Sequence, residues 1–273
     1  MPTGSADEPL AAFRLTAEPR YVAGGGEVAA FEAAHARRLP VLLKGPTGCG
    51  KTRFVEHMAW RLGRPLVTVA CHDDLSAADL LGRWLLDADG TRWQDGPLTL
   101  AARHGAICYL DELAEARPDV TVLLHPLSDT RRLLPLAACN TALPVHRDFH
   151  LVASYNPGYQ GLHKALKPST RQRFVAFDLD VPAPDVEARI VAQESGAALT
   201  VAQQLVALAV RTRRLQDEGL DAGASTRLLV HAALLVQGGL DLKTACRQAV
   251  LAPLTDDAEL RAGLQALLDA SLG

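Results

Sequence analysis

The chain has 273 residues, 48% of them hydrophobic, and a formal net charge of −3. That size suits one large domain or two smaller ones around a sizeable core, and the small negative charge offers no global attraction to nucleic acid or to an anionic membrane surface. The five cysteines, Cys49, Cys71, Cys108, Cys139 and Cys246, are odd in number and form no C-x-x-C pair, which argues against a disulfide framework or a zinc site and for a reducing cytoplasm.

Met1 to Leu10 carries two acids and no base, so it lacks the basic and apolar regions of a signal peptide. No apolar run approaches the roughly 18 residues of a membrane span, and direct membrane insertion is not expected. Residues 1–20 read as a loose lead-in. Pro40 to Lys44 is a short apolar run ending in glycine, as a buried strand should. Lys51 to Leu62 has a helical pattern, with Phe54, Val55, Met58 and Leu62 on one face and Gly63 placed to cap its end. Further strands are expected at Leu66 to Ala70, Ile107 to Leu110, Leu151 to Ser154 and Phe174 to Leu179. Strands separated by helices predict an α/β domain, a mainly parallel sheet covered by helices on both faces.

Past Val181-Pro182-Ala183-Pro184 the pattern turns wholly helical. Helices are expected at Asp185 to Glu194, Thr200 to Leu215, Ser225 to Val236, Leu242 to Val250 and Asp257 to Leu272. In the second, Val201, Leu205, Leu208 and Leu215 keep one stripe apolar. The expected organisation is therefore an α/β domain over residues 21–183 and an all-helical subdomain over 184–273.

The first of these domains carries Gly45-Pro46-Thr47-Gly48-Cys49-Gly50-Lys51-Thr52, which fits G-x-x-x-x-G-K-[ST] and marks it as a nucleotide-binding domain. Glycines let the backbone curl its N–H groups into one anion-sized hollow, and the following helix adds its positive end. Lys51 would reach the β- and γ-phosphates, and the Thr52 hydroxyl would ligate Mg²⁺. The matching half is Ile107-Cys108-Tyr109-Leu110-Asp111-Glu112, a strand ending in acid. Asp111 would hold the magnesium through water and Glu112 would polarise the attacking water. A hydrolase needs that second carboxylate more than a kinase does, because its acceptor is water. No guanine-reading N-K-x-D motif is present, so ATP is preferred to GTP.

With these motifs placed, the chain resembles an AAA+ ATPase of the MoxR group, and within it the CbbQ/NorQ branch. The strings that carry the resemblance are LKGPTGCGKTRFVE at 43–56, VACHDDL at 69–75, SYNPGYQ at 154–160 and KPSTRQRF at 167–174. The resemblance implies roles for matching positions. Asn156 is sensor 1, its alternative being an Asn-Pro turn residue. Arg173 is the arginine finger, with Arg171 the second candidate, and such a finger acts on the γ-phosphate of a neighbouring subunit. Arg227 is sensor 2. Two insertions mark the group: residues 71–96, where Ser76 and Asp79 can form a capping box and Trp84 and Trp93 flank the turn Asp87 to Gly90, and residues 131–150, a hairpin with arms Leu133 to Leu136 and Pro144 to Val145. The bland reading of the two tryptophans is that each packs into a local core.

The resemblance further implies a homo-hexameric, cytoplasmic motor that works with a von Willebrand A-domain adaptor. Its client on the preferred reading is rubisco, relieved of inhibitory sugar phosphates; the alternative client is nitric oxide reductase during maturation. Two other classes stand beside it, a small-molecule P-loop kinase and a nucleotide-binding module without turnover. Glu112, the helical tail and Arg227 argue against the kinase, and the complete set of magnesium ligands with Glu112 argues against the silent module.

Overall fold

In the computed structural model, which describes residues 8–88, 90–157, 166–215 and 219–271, every apolar run expected to be a strand before residue 180 forms one. A helix α1 (Glu27–Ala36) precedes β1 (Val41–Lys44), and α2 (Lys51–Arg61) follows it. Next come β2 (Leu66–Ala70), α3 (Ala77–Leu81), the hairpin β3 (Gly82–Asp87) and β4 (Gly90–Asp95), α4 (Pro97–His104) and β5 (Ile107–Asp111). After α5 (Pro118–Leu123) a second hairpin, β6 (Leu133–Leu136) and β7 (Thr141–Pro144), leads to β8 (His150–Tyr155), α6 (Pro168–Arg171) and β9 (Val175–Asp178).

Five strands form one sheet in the order β2-β5-β8-β1-β9, and every pairing in it is parallel. Alternation along the strands sends side chains to two faces. Val41, Leu43, Ile107, Tyr109 and Val152 pack with Phe54, Val55 and Met58 of α2 on one side. Leu42, Cys108, Leu110, Leu151 and Ala153 pack with Leu98 and Ala101 of α4 on the other. Burial on both faces is why these strands read as unbroken apolar runs. Gly63 lies just past α2 at φ +63° and its N–H donates to Trp60 O, the left-handed stop that glycine accommodates best.

The helical part comprises α7 (Pro184–Ser195), α8 (Leu199–Arg214), α9 (Thr226–Gln237), α10 (Leu242–Cys246) and α11 (Ala258–Ser271), closed around Val191, Leu205, Leu208, Leu229 and Leu268. The helix expected over Leu242 to Val250 leaves the α pattern at Cys246 and continues as a π-helical turn, Arg247–Leu251. By contacts the chain divides into two compact units, one running to Leu179 and the other from Asp180, with Thr47–Cys49 counted in the second. Among the described residues no helix is long and apolar enough to cross a membrane.

The insertions need two corrections. The second arm of the later hairpin is Thr141–Pro144, paired with Leu136–Leu133; Val145 lies beyond it, and His150 belongs to the main sheet. Trp84 and Trp93 do not each enter a core. They are directly opposite on β3 and β4 and meet edge to face at 5.5 Å, leaving Trp84 50% exposed. The capping box is present: the Ser76 side chain accepts the Asp79 N–H, and the Asp79 carboxylate accepts the Ser76 N–H. Residues 1–7, Asp89, Gly158 to Gln160 of the SYNPGYQ string, residues 216–218 and Leu272 lie outside the described residues.

Candidate nucleotide-binding and hydrolysis site

The site begins where β1 ends. Gly48 and Gly50 sit at φ +76° and +100°, backbone that a side chain would strain and glycine adopts freely. Gly50 is also the N-cap of α2, so the first N–H groups of an 11-residue helix point out of the loop as an anion receptor. Lys51, the first helical residue, is only 6% exposed. Its Nζ donates to Gly45 O at 2.8 Å and Pro46 O at 3.0 Å, and stands 3.7 Å from Glu112 Oε1.

Facing α2 is the end of β5. Thr52 Oγ1 donates to Asp111 Oδ2 at 3.3 Å. The other carboxylate oxygen, Oδ1, receives the hydroxyls of Tyr109 and Ser154, each at 2.7 Å. Glu112 follows at φ 54°, ψ 50°, a left-handed conformation uncommon for a residue with a side chain. Its N–H donates to Ser154 Oγ at 3.0 Å. Partial burial, the largest cause, pushes the Glu112 carboxyl above its ordinary value; Lys51 opposes this, and Asp111 and Glu115 add to it. Burial holds the Tyr109 phenol far above its usual range, so it remains a proton donor.

Thr52 Oγ1 and Asp111 Oδ2 are two hard oxygens close enough to share one small cation, the donor chemistry that suits Mg²⁺. The other expected residues are placed each by its own element. Asn156 comes directly after β8, the strand between β5 and β1. Arg171 ends α6 and is exposed, whereas Arg173 is half-buried and its Nε has no hydrogen-bond partner among the described residues. Arg227 is the second residue of α9, exposed, in the helical unit. Tyr109 and Ser154 escaped the sequence reading. The available signal was a hydroxyl inside each of two otherwise apolar buried strands, one of them two residues before an aspartate and so on its face.

Comparison with known proteins shows the family. The AAA domain (dynein-related subfamily) matches residues 40–174, and the CbbQ/NirQ/NorQ C-terminal family matches residues 187–271. Protein CbbQ of Hydrogenophilus thermoluteolus is 58% identical over 93% of this chain and 95% of its own. The chain belongs to the CbbQ/NirQ/NorQ family of AAA ATPases. Protein NorQ of Paracoccus denitrificans is 60% identical, covering 93% of this chain and 94% of its own. The denitrification regulatory protein NirQ of Pseudomonas aeruginosa is 58% identical, covering 93% and 97%. This member of the CbbQ/NirQ/NorQ family therefore stands equally near to relatives of all three names.

Proposed function

We propose that this chain is the ATP-hydrolysing subunit of a cytoplasmic homo-hexamer that, with a von Willebrand A-domain adaptor, remodels rubisco to release inhibitory sugar phosphates. The observation that carries the hydrolytic part is the meeting of Lys51, Thr52, Asp111 and Glu112 within a few ångströms, drawn from the first turn of α2 and the end of β5. In this reading the loop N–H groups and the α2 terminus bind the phosphates. Lys51 moves its charge from the loop carbonyls to the β- and γ-phosphates. Thr52 and Asp111 would hold Mg²⁺, which would supply positive charge to the phosphates. Glu112 takes a proton from the attacking water, and its raised proton affinity makes it a better base than an exposed carboxylate. Asn156 orients that water.

Arg173, with Arg171 as the other candidate, serves the γ-phosphate of the neighbouring subunit, which is why a ring is needed. Arg227 is the second phosphate sensor. The placing of Glu112 beside Lys51 favours water over a small-molecule acceptor, and thus the hydrolase over the kinase.

The rubisco client is a hypothesis from overall resemblance, supported by the CbbQ relative at 58% identity and by no diagnostic residue. The NorQ relative at 60% identity supports a second client, nitric oxide reductase during maturation. The test is a pull-down from the native source with Glu112→Gln and ATP, followed by mass spectrometry. Recovery of rubisco with a von Willebrand A-domain protein supports the first client. Recovery of nitric oxide reductase or its accessory protein replaces it with the second, and recovery of neither overturns both.

A further inference from the structure

We propose that the hydroxyls of Tyr109 and Ser154 are positioning groups for hydrolysis, turning the Asp111 carboxylate toward Thr52 and pinning the backbone of Glu112. The inference rests on the roles of Asp111 and Glu112 proposed above.

A carboxylate on a short side chain is free to rotate unless both oxygens are engaged. Here Oδ1 of Asp111 takes two short bonds, from Tyr109 and Ser154, while Oδ2 is left to face Thr52. Each hydroxyl has a single proton to give, and the geometry lets both be spent on the same oxygen. The lone pairs that remain on Ser154 Oγ accept the Glu112 N–H. One small side chain on β8 therefore grips the carboxylate of Asp111 and the main chain of the next residue. The grip falls where the backbone needs it, since Glu112 is held left-handed between Ser154 on one side and its own carbonyl accepting the Glu115 N–H at 2.8 Å on the other. Tyr109 closes the circuit, lying 3.1 Å from Ser154 Oγ and 3.5 Å from Thr52 Oγ1.

Packing alone does not call for these hydroxyls. Both residues are fully buried, where phenylalanine and alanine would fill the same space without burying a polar atom. What the hydroxyls add is direction at the carboxylate. Partners of this kind behind a metal ligand typically change metal affinity or activity by about 10- to 100-fold when removed.

The experiment uses the full chain and two equilibrium readouts beside turnover. A fluorescent ATP analogue is bound in EDTA and then titrated with Mg²⁺, and thermal unfolding is followed in parallel. For Tyr109→Phe, the Mg²⁺ concentration for half-maximal response rises about tenfold while affinity in EDTA stays within about twofold. Ser154→Ala shows the same metal effect and also lowers kcat by about 10- to 100-fold, because it releases Glu112 as well. In an Asp111→Asn background, adding Tyr109→Phe produces no further change in the Mg²⁺ response. If both single variants keep the wild-type Mg²⁺ response, or only lose thermal stability, the hydroxyls serve folding and the proposal is overturned while the ATPase reading stands. A wild-type chain that neither responds to Mg²⁺ nor turns over ATP would remove the ATPase reading itself, and this proposal with it.

Discussion

Lys51 Nζ lies 3.7 Å from Glu112 Oε1 while it donates to the carbonyls of Gly45 and Pro46. The lysine is nearly enclosed and the glutamate is 37% exposed, so the pair sets a buried ammonium beside a carboxylate that water can reach. Glu112→Gln keeps the shape and removes the base. ATP binding should stay near the wild-type level while steady-state turnover falls by about 10²- to 10⁴-fold, the usual contribution of a positioned base. Wild-type turnover in this variant would move the base to another residue.

Lys51→Ala removes the cation and its donors. Hydrogen bonds from an ionised donor are worth about 1.5–3 kcal/mol each, so two lost phosphate contacts amount to a fall in ATP affinity of about a hundredfold or more. Isothermal titration with ATP measures this directly. An unchanged dissociation constant would remove the phosphate-binding assignment of residues 45–52.

The sheet was legible because its strands are buried on both faces, so Ile107 to Leu110 and Leu151 to Ser154 appear as plain apolar runs. The turn at residues 45–52 was legible because Gly48 and Gly50 answer a backbone geometry that few other residues allow. The hydroxyl circuit was not. Tyr109 and Ser154 look like ordinary strand residues until the parallel pairing of β5 with β8 sets them around Asp111. The arm Thr141–Pro144 was misplaced for a related reason: it lies outside the main sheet and only Leu143 of its four residues is partly buried against the core, so it carries no alternation to read. Trp84 reads as a core residue by type, yet its cross-strand partner is Trp93 and its indole N–H donates to Ala138 O at 3.2 Å in the neighbouring hairpin.

The two arginines after α6 differ in setting. Arg171 is exposed, whereas Arg173 is half-buried and its charge helps to depress the proton affinity of His125, after burial. If Arg173 serves the adjoining subunit, Arg173→Ala alone should be inactive. Mixing it with Glu112→Gln subunits should restore part of the hydrolysis, because some interfaces then unite an intact finger with an intact base. Titrating the two variants against each other in an ATPase assay gives a maximum at intermediate ratios. A flat response, with recovery in the matching Arg171→Ala series, would transfer the role to Arg171.

His150 ties stability to pH. Its ring is enclosed by Phe31 and His35, its Nε2 meets Leu39 O at 2.8 Å, and its buried Nδ1 has no partner among the described residues. Burial pushes its pKa from 6.5 down to about 4, with His35 and Arg132 adding to the shift and the Leu39 bond opposing it. Over that window the unfolded chain binds more protons than the folded one. The stability is therefore complete above about pH 6.5 and is lost as pH falls toward 4, on the order of 3 kcal/mol in all. Urea denaturation between pH 4 and 7 should show this slope, and His150→Phe should flatten it. An equal slope in the variant would assign the acid sensitivity to other groups.

In the helical unit, Glu187 of α7 is wholly buried and forms a two-point bond with Arg213 of α8, at 2.8 and 2.7 Å. Arg213 Nε also donates to Ala224 O, and Thr226 Oγ1 donates to Glu187 Oε1 at 2.6 Å. Three elements thus converge on one carboxylate, and the residue after Thr226 is Arg227. Glu187→Ala leaves a guanidinium with little solvent and no carboxylate to balance it, with the Ala224 carbonyl still accepting from Nε, which should cost about 3–5 kcal/mol. Arg213→Lys keeps the charge but cannot make the paired contact, so its loss should be intermediate. Replacing both, as Glu187→Leu with Arg213→Met, should be close to neutral in stability, because no charge is then stranded. Hydrogen exchange of the amides in α7, α8 and α9 separates these cases. Turnover adds a second reading: if Arg227 acts as the proposed second sensor, the double replacement should remain folded yet hydrolyse ATP more slowly, since Thr226, the residue before it, loses the carboxylate it bonds at the start of α9. Full turnover in the folded double variant would show that the network serves stability alone.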